Sequence, residues 1–237
     1  MKVILTTLLL CLSIIFNIKG QTPLENVQKR LNWITPKDSL TNFIEKMELI
    51  RKKQENPYLI YWEAYAIYLL SAQKFLGESK KIEESIEKGI ELIEKIKNKN
   101  SEHYALLALL QGLEINYSSA VTTPFKAAAD EANARKAIKL DPSNLRAYYA
   151  LAMKDYYTPK MFGGGKIAEE NFLKAISLDD KSDSNPYAPD WGKTDAYRYL
   201  IWFYKKNDQL DKAKKCLDEA LSKYPDNKSF KAIQSKL

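Results

Sequence analysis

Few residues in this chain have the types and spacing that could do chemistry. The run Gly163-Gly164-Gly165-Lys166 has the composition of a phosphate cradle. A P-loop, however, needs Gly-x4-Gly-Lys-Ser/Thr after a strand, so that backbone N–H groups surround the phosphates and a hydroxyl holds magnesium. Here Ile167 stands where the hydroxyl is required, Lys160 where the first glycine is, and a helical pattern precedes. The run is therefore expected to be a tight turn between helices, with glycines taking φ values that other residues avoid. His103 is the chain's single histidine, at the start of a helical pattern, without Cys or His neighbours for a zinc site or a nucleophile to activate. It is expected at the surface or in a helix cap. Asp179, Asp180 and Asp183 suggest a calcium loop, but the spacing counted from Asp180 puts Trp191 where a bidentate Glu belongs, and the central Gly is absent. Cys216, between Lys215 and Leu217, is expected as a small, half-buried helix residue and not a reactive thiol. No catalytic pair stands out among the many Asp and Glu residues. The chain is thus expected to be no enzyme, with no cofactor and no metal.

Composition narrows the class further. The chain has 237 residues, 45% of them hydrophobic, with only 8 Gly. Ala, Leu, Ile, Lys and Glu dominate, a mixture that suits helices and argues against a large sheet. Residues 1–20, MKVILTTLLLCLSIIFNIKG, carry a lysine near the start and an apolar run from Val3 to Phe16. This reads as a signal peptide cleaved after Gly20, and so as an exported protein, periplasmic or extracellular, with no membrane span after cleavage. An uncleaved anchor is the alternative. Cys11 lacks the small preceding residue of a lipoprotein cysteine. The formal charge of +7 falls to +5 without Lys2 and Lys19, and the bases are interleaved with acids. That pattern describes a solvated surface, and no nucleic-acid partner is expected.

The elements that would position any site are helical hairpins. Thr194–Asn227 carries Tyr197, Leu200, Tyr204, Ala213, Leu217, Ala220 and Pro225 at the spacing of one tetratricopeptide (TPR) repeat, which it resembles; Ile201 departs from the glycine usual there. The helix ending KAIKLDPSN (136–144) recurs as KAISLDDKS (174–182) and EALSKYPDN (219–227). The aligned Ala137, Ala175 and Ala220 are 38 and 45 residues apart, beyond the family's period of about 34. The excess falls in TPKMFGGGK (158–166) and in DDKSDSNPYAPDWGK (179–193), where Pro186, Pro189 and Gly192 exclude a continuous helix. Upstream, Thr35-Pro36 is read as a helix start, with Leu40, Phe43, Ile44 and Met47 on one face. Pro57 opens the first repeat, and a helix over 79–97 completes it. The expected architecture is an all-α solenoid of antiparallel helix pairs, with about four TPR-like repeats. Its parts are a lead-in and capping helix over 21–57, repeats over 58–227, and a C-terminal cap over 228–237 that lays Phe230, Ile233 and Leu237 on the last repeat.

In arrays of this family the first helices line a concave groove. By that resemblance the groove residues are Arg146, Tyr149, Met153, Tyr156 and Tyr157 in the third repeat, and Arg198, Trp202, Lys205 and Lys206 in the fourth. Aromatic anchors beside cationic heads are enriched at binding hot spots. The resemblance implies a non-catalytic scaffold for a protein or peptide partner. A second resemblance points elsewhere. Pro159-Lys160-Met161-Phe162-Gly163-Gly164-Gly165, followed by Ala168 and Phe172, looks like the Phe-Gly-Gly turn of secreted proteins such as the T component of TRAP transporters. That implies a periplasmic module for a small, partly apolar ligand.

Overall fold

The computed structural model describes residues 27, 31–53, 56–180 and 187–237. The expected signal peptide, Cys11 and Asp183 lie outside the described residues. Among the described residues all regular structure is helical: α1 (Lys37–Arg51), α2 (Pro57–Ala72), α3 (Ser79–Glu94), α4 (Ser101–Glu114), α5 (Thr123–Leu140), α6 (Leu145–Tyr157), α7 (Ala168–Ser177), α8 (Lys193–Lys206), α9 (Leu210–Lys223) and α10 (Lys228–Gln234). Short 3₁₀ turns follow α4 (Ile115–Tyr117) and α6 (Lys160–Phe162). No described helix is long and apolar enough to cross a membrane.

The pairs α2/α3, α4/α5, α6/α7 and α8/α9 are hairpins, and the first helices α2, α4, α6 and α8 pack on one another in sequence as an inner layer. Helix α1 packs against α2, and α10 covers the end of α9. The recurrent helix endings explain this spacing locally. Each of two copies closes one helix with a proline and supplies the asparagine that starts the next. Asn144 Oδ1 accepts the Arg146 N–H at 2.9 Å, and Asn227 Oδ1 accepts those of Ser229 and Phe230 at 2.9 and 3.2 Å. Such caps satisfy donors that the first helical turn leaves free. Ala137, Ala175 and Ala220 are all fully buried, so the repeated alanine marks a core position on the second helix of each of these hairpins.

Helix α2 is the centre of the molecule. Leu59 and every residue from Tyr61 to Ser71 are buried, the expected state of a helix that is apolar all round. Its one carboxylate, Glu63, accepts from Arg51 Nε at 2.8 Å and lies 3.8 Å from Lys88 Nζ, which ties α1 and α3 to α2.

The described end of the longer insertion, 187–193, lies across the inner layer: the Trp191 ring stacks on Tyr65 at 4.3 Å, and Trp191 Nε1 donates to the Tyr61 hydroxyl at 3.1 Å. Trp62 Nε1 donates to the Tyr187 carbonyl at 2.8 Å. From the N-terminal side Trp33 meets Tyr68 and Tyr199 edge-on at 5.9 and 6.5 Å. The chain's own aromatic residues thus fill the inner wall.

Candidate functional site: an apolar cleft between α4, α5 and α6

A cleft of about 660 Å³ opens where the hairpin α4/α5 meets α6. Its walls are Ala108, Leu109 and Leu113 of α4, Ala127 of α5, and Ala150 and Met153 of α6, with Tyr68 reaching it from α2. Small side chains on three adjacent helices leave the space that larger ones would have filled. At the mouth stand Tyr157 and Phe162, 60% and 73% exposed. The size and the mostly apolar lining fit a small-molecule site.

The rim is held by the Phe-Gly-Gly turn. Asp155 Oδ2 accepts the N–H groups of Ile167 and Ala168 at 2.9 and 2.7 Å, capping α7, while the Asp155 carbonyl accepts the Gly165 N–H at 3.1 Å. Gly163 and Gly165 have φ of 90° and 79°, as the glycine run led us to expect. Gly164 is demanded for another reason: a Cβ there would lie 1.9 Å from the Thr158 carbonyl oxygen. The turn so fixed presents Thr158, Pro159 and Phe162 to the cleft.

One polar group among the lining residues is buried without a partner. Asp130 on α5 is 1% exposed, and its Oδ2 accepts no hydrogen bond. Burial pushes its carboxyl up to about 7, against the pull of Lys154. Lys154 is itself engaged, its Nζ bound to the Glu131 carboxylate, and Lys126 pairs with Glu114 at 2.8 Å. Facing Asp130 is Gly112, where a Cβ would come within 3.2 Å of Oδ2. The absence of a side chain at Gly112 thus makes room for a carboxylate.

Only Met153 and Tyr157 of the predicted groove residues line this cleft. The others require correction as groove residues or lie elsewhere. Arg146 is buried and donates to Glu102 and to the Trp191 carbonyl. Tyr149 is fully buried, edge-on to Trp191 at 6.4 Å. The Arg198 guanidinium is buried over the Trp33 ring at 4.7 Å and donates to Asp195 at 2.7 Å. The physical reason is common to all three: Trp33 and Trp191 occupy the wall that a partner would have used. Tyr156 is half-buried with Lys206 Nζ 4.7 Å above its ring; Trp202 is 37% exposed against Tyr199; Lys205 donates to the Lys236 carbonyl at 3.0 Å. These last side chains sit on the α8 side, away from the cleft lining.

His103 completes the cap of α4, its Nδ1 accepting the Asn100 N–H at 3.1 Å, and it is buried beside Tyr61. Cys216 is buried and its thiol is pushed up to about 12 by burial. Asp180 lies 4.0 Å from Arg146 Nη1. Sequence reasoning missed Asp130 altogether. A signal was present, since Asp130, Ala134 and Ala137 share one face of α5 and all three are buried.

No protein-family model matches the chain. No curated protein matches it either. Among solved structures it is similar to the HusA haemophore from Porphyromonas gingivalis, with TM-score 0.59 and 20% identity over 79% of this chain and 96% of that one. It is also similar to YrrB, a TPR protein with an unusual peptide-binding site, at TM-score 0.42 and 15% identity over 85% of this chain and 93% of that one. At such identities the first likeness is one of fold: a helical-repeat scaffold.

Proposed function

We propose that this chain is an exported, non-catalytic carrier that holds a small, flat, largely apolar molecule in the cleft between α4, α5 and α6. The observation that carries the reading is the cleft itself: about 660 Å³ of space walled by alanine, leucine and methionine, with Tyr157 and Phe162 at its mouth. Such a lining recognises a ligand by shape and apolar burial. An extended peptide fits less well, because Trp33 and Trp191 cover the inner positions at Tyr149 and Arg198. The leader-like residues 1–20 support export. The fold shared with a haemophore makes a tetrapyrrole one ligand class to include in the test.

The test is titration of the protein lacking residues 1–20 with haem, with protoporphyrin IX and with the neutral dye N-phenyl-1-naphthylamine. Saturable binding of at least one probe is expected. Ala108→Phe and Ala150→Phe, which fill the cleft, should weaken it about tenfold or more, whereas Trp202→Ala should leave it unchanged. Absence of saturable binding, or binding indifferent to both cleft-filling changes, would overturn the proposal.

A further inference from the structure

A carboxylate that is buried and unpaired costs folding free energy, and an apolar side chain of similar volume would pack that face of α5 at no such cost. Asp130 stands in this position. It is 1% exposed, it lines the cleft, and its Oδ2 accepts nothing. Its surroundings do not neutralise it. The titratable groups near it are Lys154 from α6 and Glu131 on its own helix, and these two bind each other. From α4 it meets Gly112, whose missing side chain leaves Oδ2 its space. From α2 the cleft lining receives Tyr68, whose ring lies edge-on to Trp33 and alongside Tyr65, and no hydrogen bond from it reaches Oδ2.

We infer that Asp130 is the polar recognition group of the cleft, and that the ligand carries a nitrogen-centred hydrogen-bond donor, a protonated amine or a ring N–H, at its buried end. The inference rests on the cleft reading above and names the ligand chemistry which that reading leaves open. An ionised carboxylate is an acceptor only, and charge-assisted N–H···O⁻ bonds are roughly twice as strong as neutral ones. A cationic nitrogen would supply both the missing hydrogen bond and the missing countercharge. A hydrocarbon of the same shape would fill the space and leave Oδ2 unsatisfied. The cleft then discriminates by the cost of an unpaired buried group, which separates ligands more sharply than one methylene of contact. An anionic ligand end is excluded from this depth and left at the mouth, near Tyr157 and Phe162.

The experiment is displacement of bound N-phenyl-1-naphthylamine by a matched pair, 2-(aminomethyl)naphthalene and 2-ethylnaphthalene, at about pH 8, where the free amine is protonated and Asp130 is ionised. The wild-type protein should favour the amine by about tenfold or more. In Asp130→Asn and Asp130→Leu that ratio should collapse to about one. If the dye binds but the wild-type ratio is near one, or if the ratio survives both substitutions, the Asp130 assignment is overturned while the cleft reading stands. If the dye does not bind, the same pair is set against whichever tetrapyrrole does; if none of the three probes binds the wild-type protein, the cleft reading falls and takes this inference with it. The wild-type ratio alone decides the matter should either variant fail to melt cooperatively.

Discussion

Arg146 on α6 grips Glu102 on α4 with both edges of its fork. Nε donates to Oε2 at 2.6 Å, and Nη2 donates to Oε1 at 2.8 Å. The third prong, Nη1, donates to the Trp191 carbonyl at 2.6 Å. One guanidinium therefore joins two inner helices to the insertion that lies across them. Because the Arg146 side chain is only 5% exposed and that of Glu102 is 20% exposed, removing the carboxylate strands a buried charge. Glu102→Ala should cost about 3 kcal/mol, the lower end for breaking a buried pair, since Glu102 keeps some contact with water. Thermal and urea unfolding would measure it, and a loss below about 1 kcal/mol would put the pair among ordinary surface bridges.

Trp191 is the residue that closes the inner wall, stacked on Tyr65 and bonded to Tyr61. Trp191→Ala removes a large ring from that seam and should destabilise by about 3 kcal/mol. It should also uncover Tyr149, which meets Trp191 edge-on at 6.4 Å. Near-ultraviolet circular dichroism should lose part of its aromatic signal while the helical signal holds. Unchanged stability would mean that the segment 187–191 is not held on the inner layer.

The hairpin repeat was legible in the chain for a local reason: the alanine of every copy, and the proline and asparagine of two of them, act within one helix end, as Ala137, Pro142 and Asn144 do. The glycine turn was legible likewise, because Gly163 and Gly165 need positive φ whatever surrounds them. The filling of the inner wall was not. Tyr187 and Trp191 read as loop residues between Pro186 and Gly192, and their partners Trp62 and Tyr61 are 125 and 130 residues away. Assigning Arg146, Tyr149 and Arg198 to an open groove assumed a bare concave face. Asp130 escaped notice because its meaning depends on Gly112, on another helix, and on Lys154 being taken by Glu131.

Gly164 and Gly165 separate two kinds of glycine requirement within one turn. A Cβ on Gly164 would lie 1.9 Å from backbone, whereas one on Gly165 would meet nothing within 4 Å and carry only the strain of φ at 79°. Gly165→Ala should cost about 1 kcal/mol. Gly164→Ala should cost more, about 3 kcal/mol, and should displace Phe162 and Pro159 from the mouth, weakening dye binding. Paired melts and titrations test the order; equal costs would mean that the turn is not held as described.

Asp130 and His103 should tilt stability with pH in opposite directions. Burial raises the Asp130 carboxyl from 3.8 to about 7, so between those values the folded chain holds a proton that the unfolded chain has shed, and stability falls as pH rises. Burial, aided by Lys99, lowers His103 from 6.5 to about 4. Over that window the unfolded chain holds the extra proton, and stability rises with pH. Each slope is about 1.4 kcal/mol per pH unit where it acts alone, so where the windows overlap the two cancel. Single substitutions unmask them. Asp130→Asn should match the wild type near pH 4 and exceed it progressively up to about pH 8, by on the order of 4 kcal/mol. His103→Gln keeps an acceptor for the Asn100 N–H, as glutamine does in a capping box. Its stability relative to wild type should be greatest near pH 4 and decline by on the order of 3 kcal/mol by about pH 6.5. Denaturant unfolding of the three proteins across this range gives the differences directly. A flat difference for Asp130→Asn would mean that its carboxylate has found a partner when ionised, and that the folding cost on which its recognition role rests does not exist.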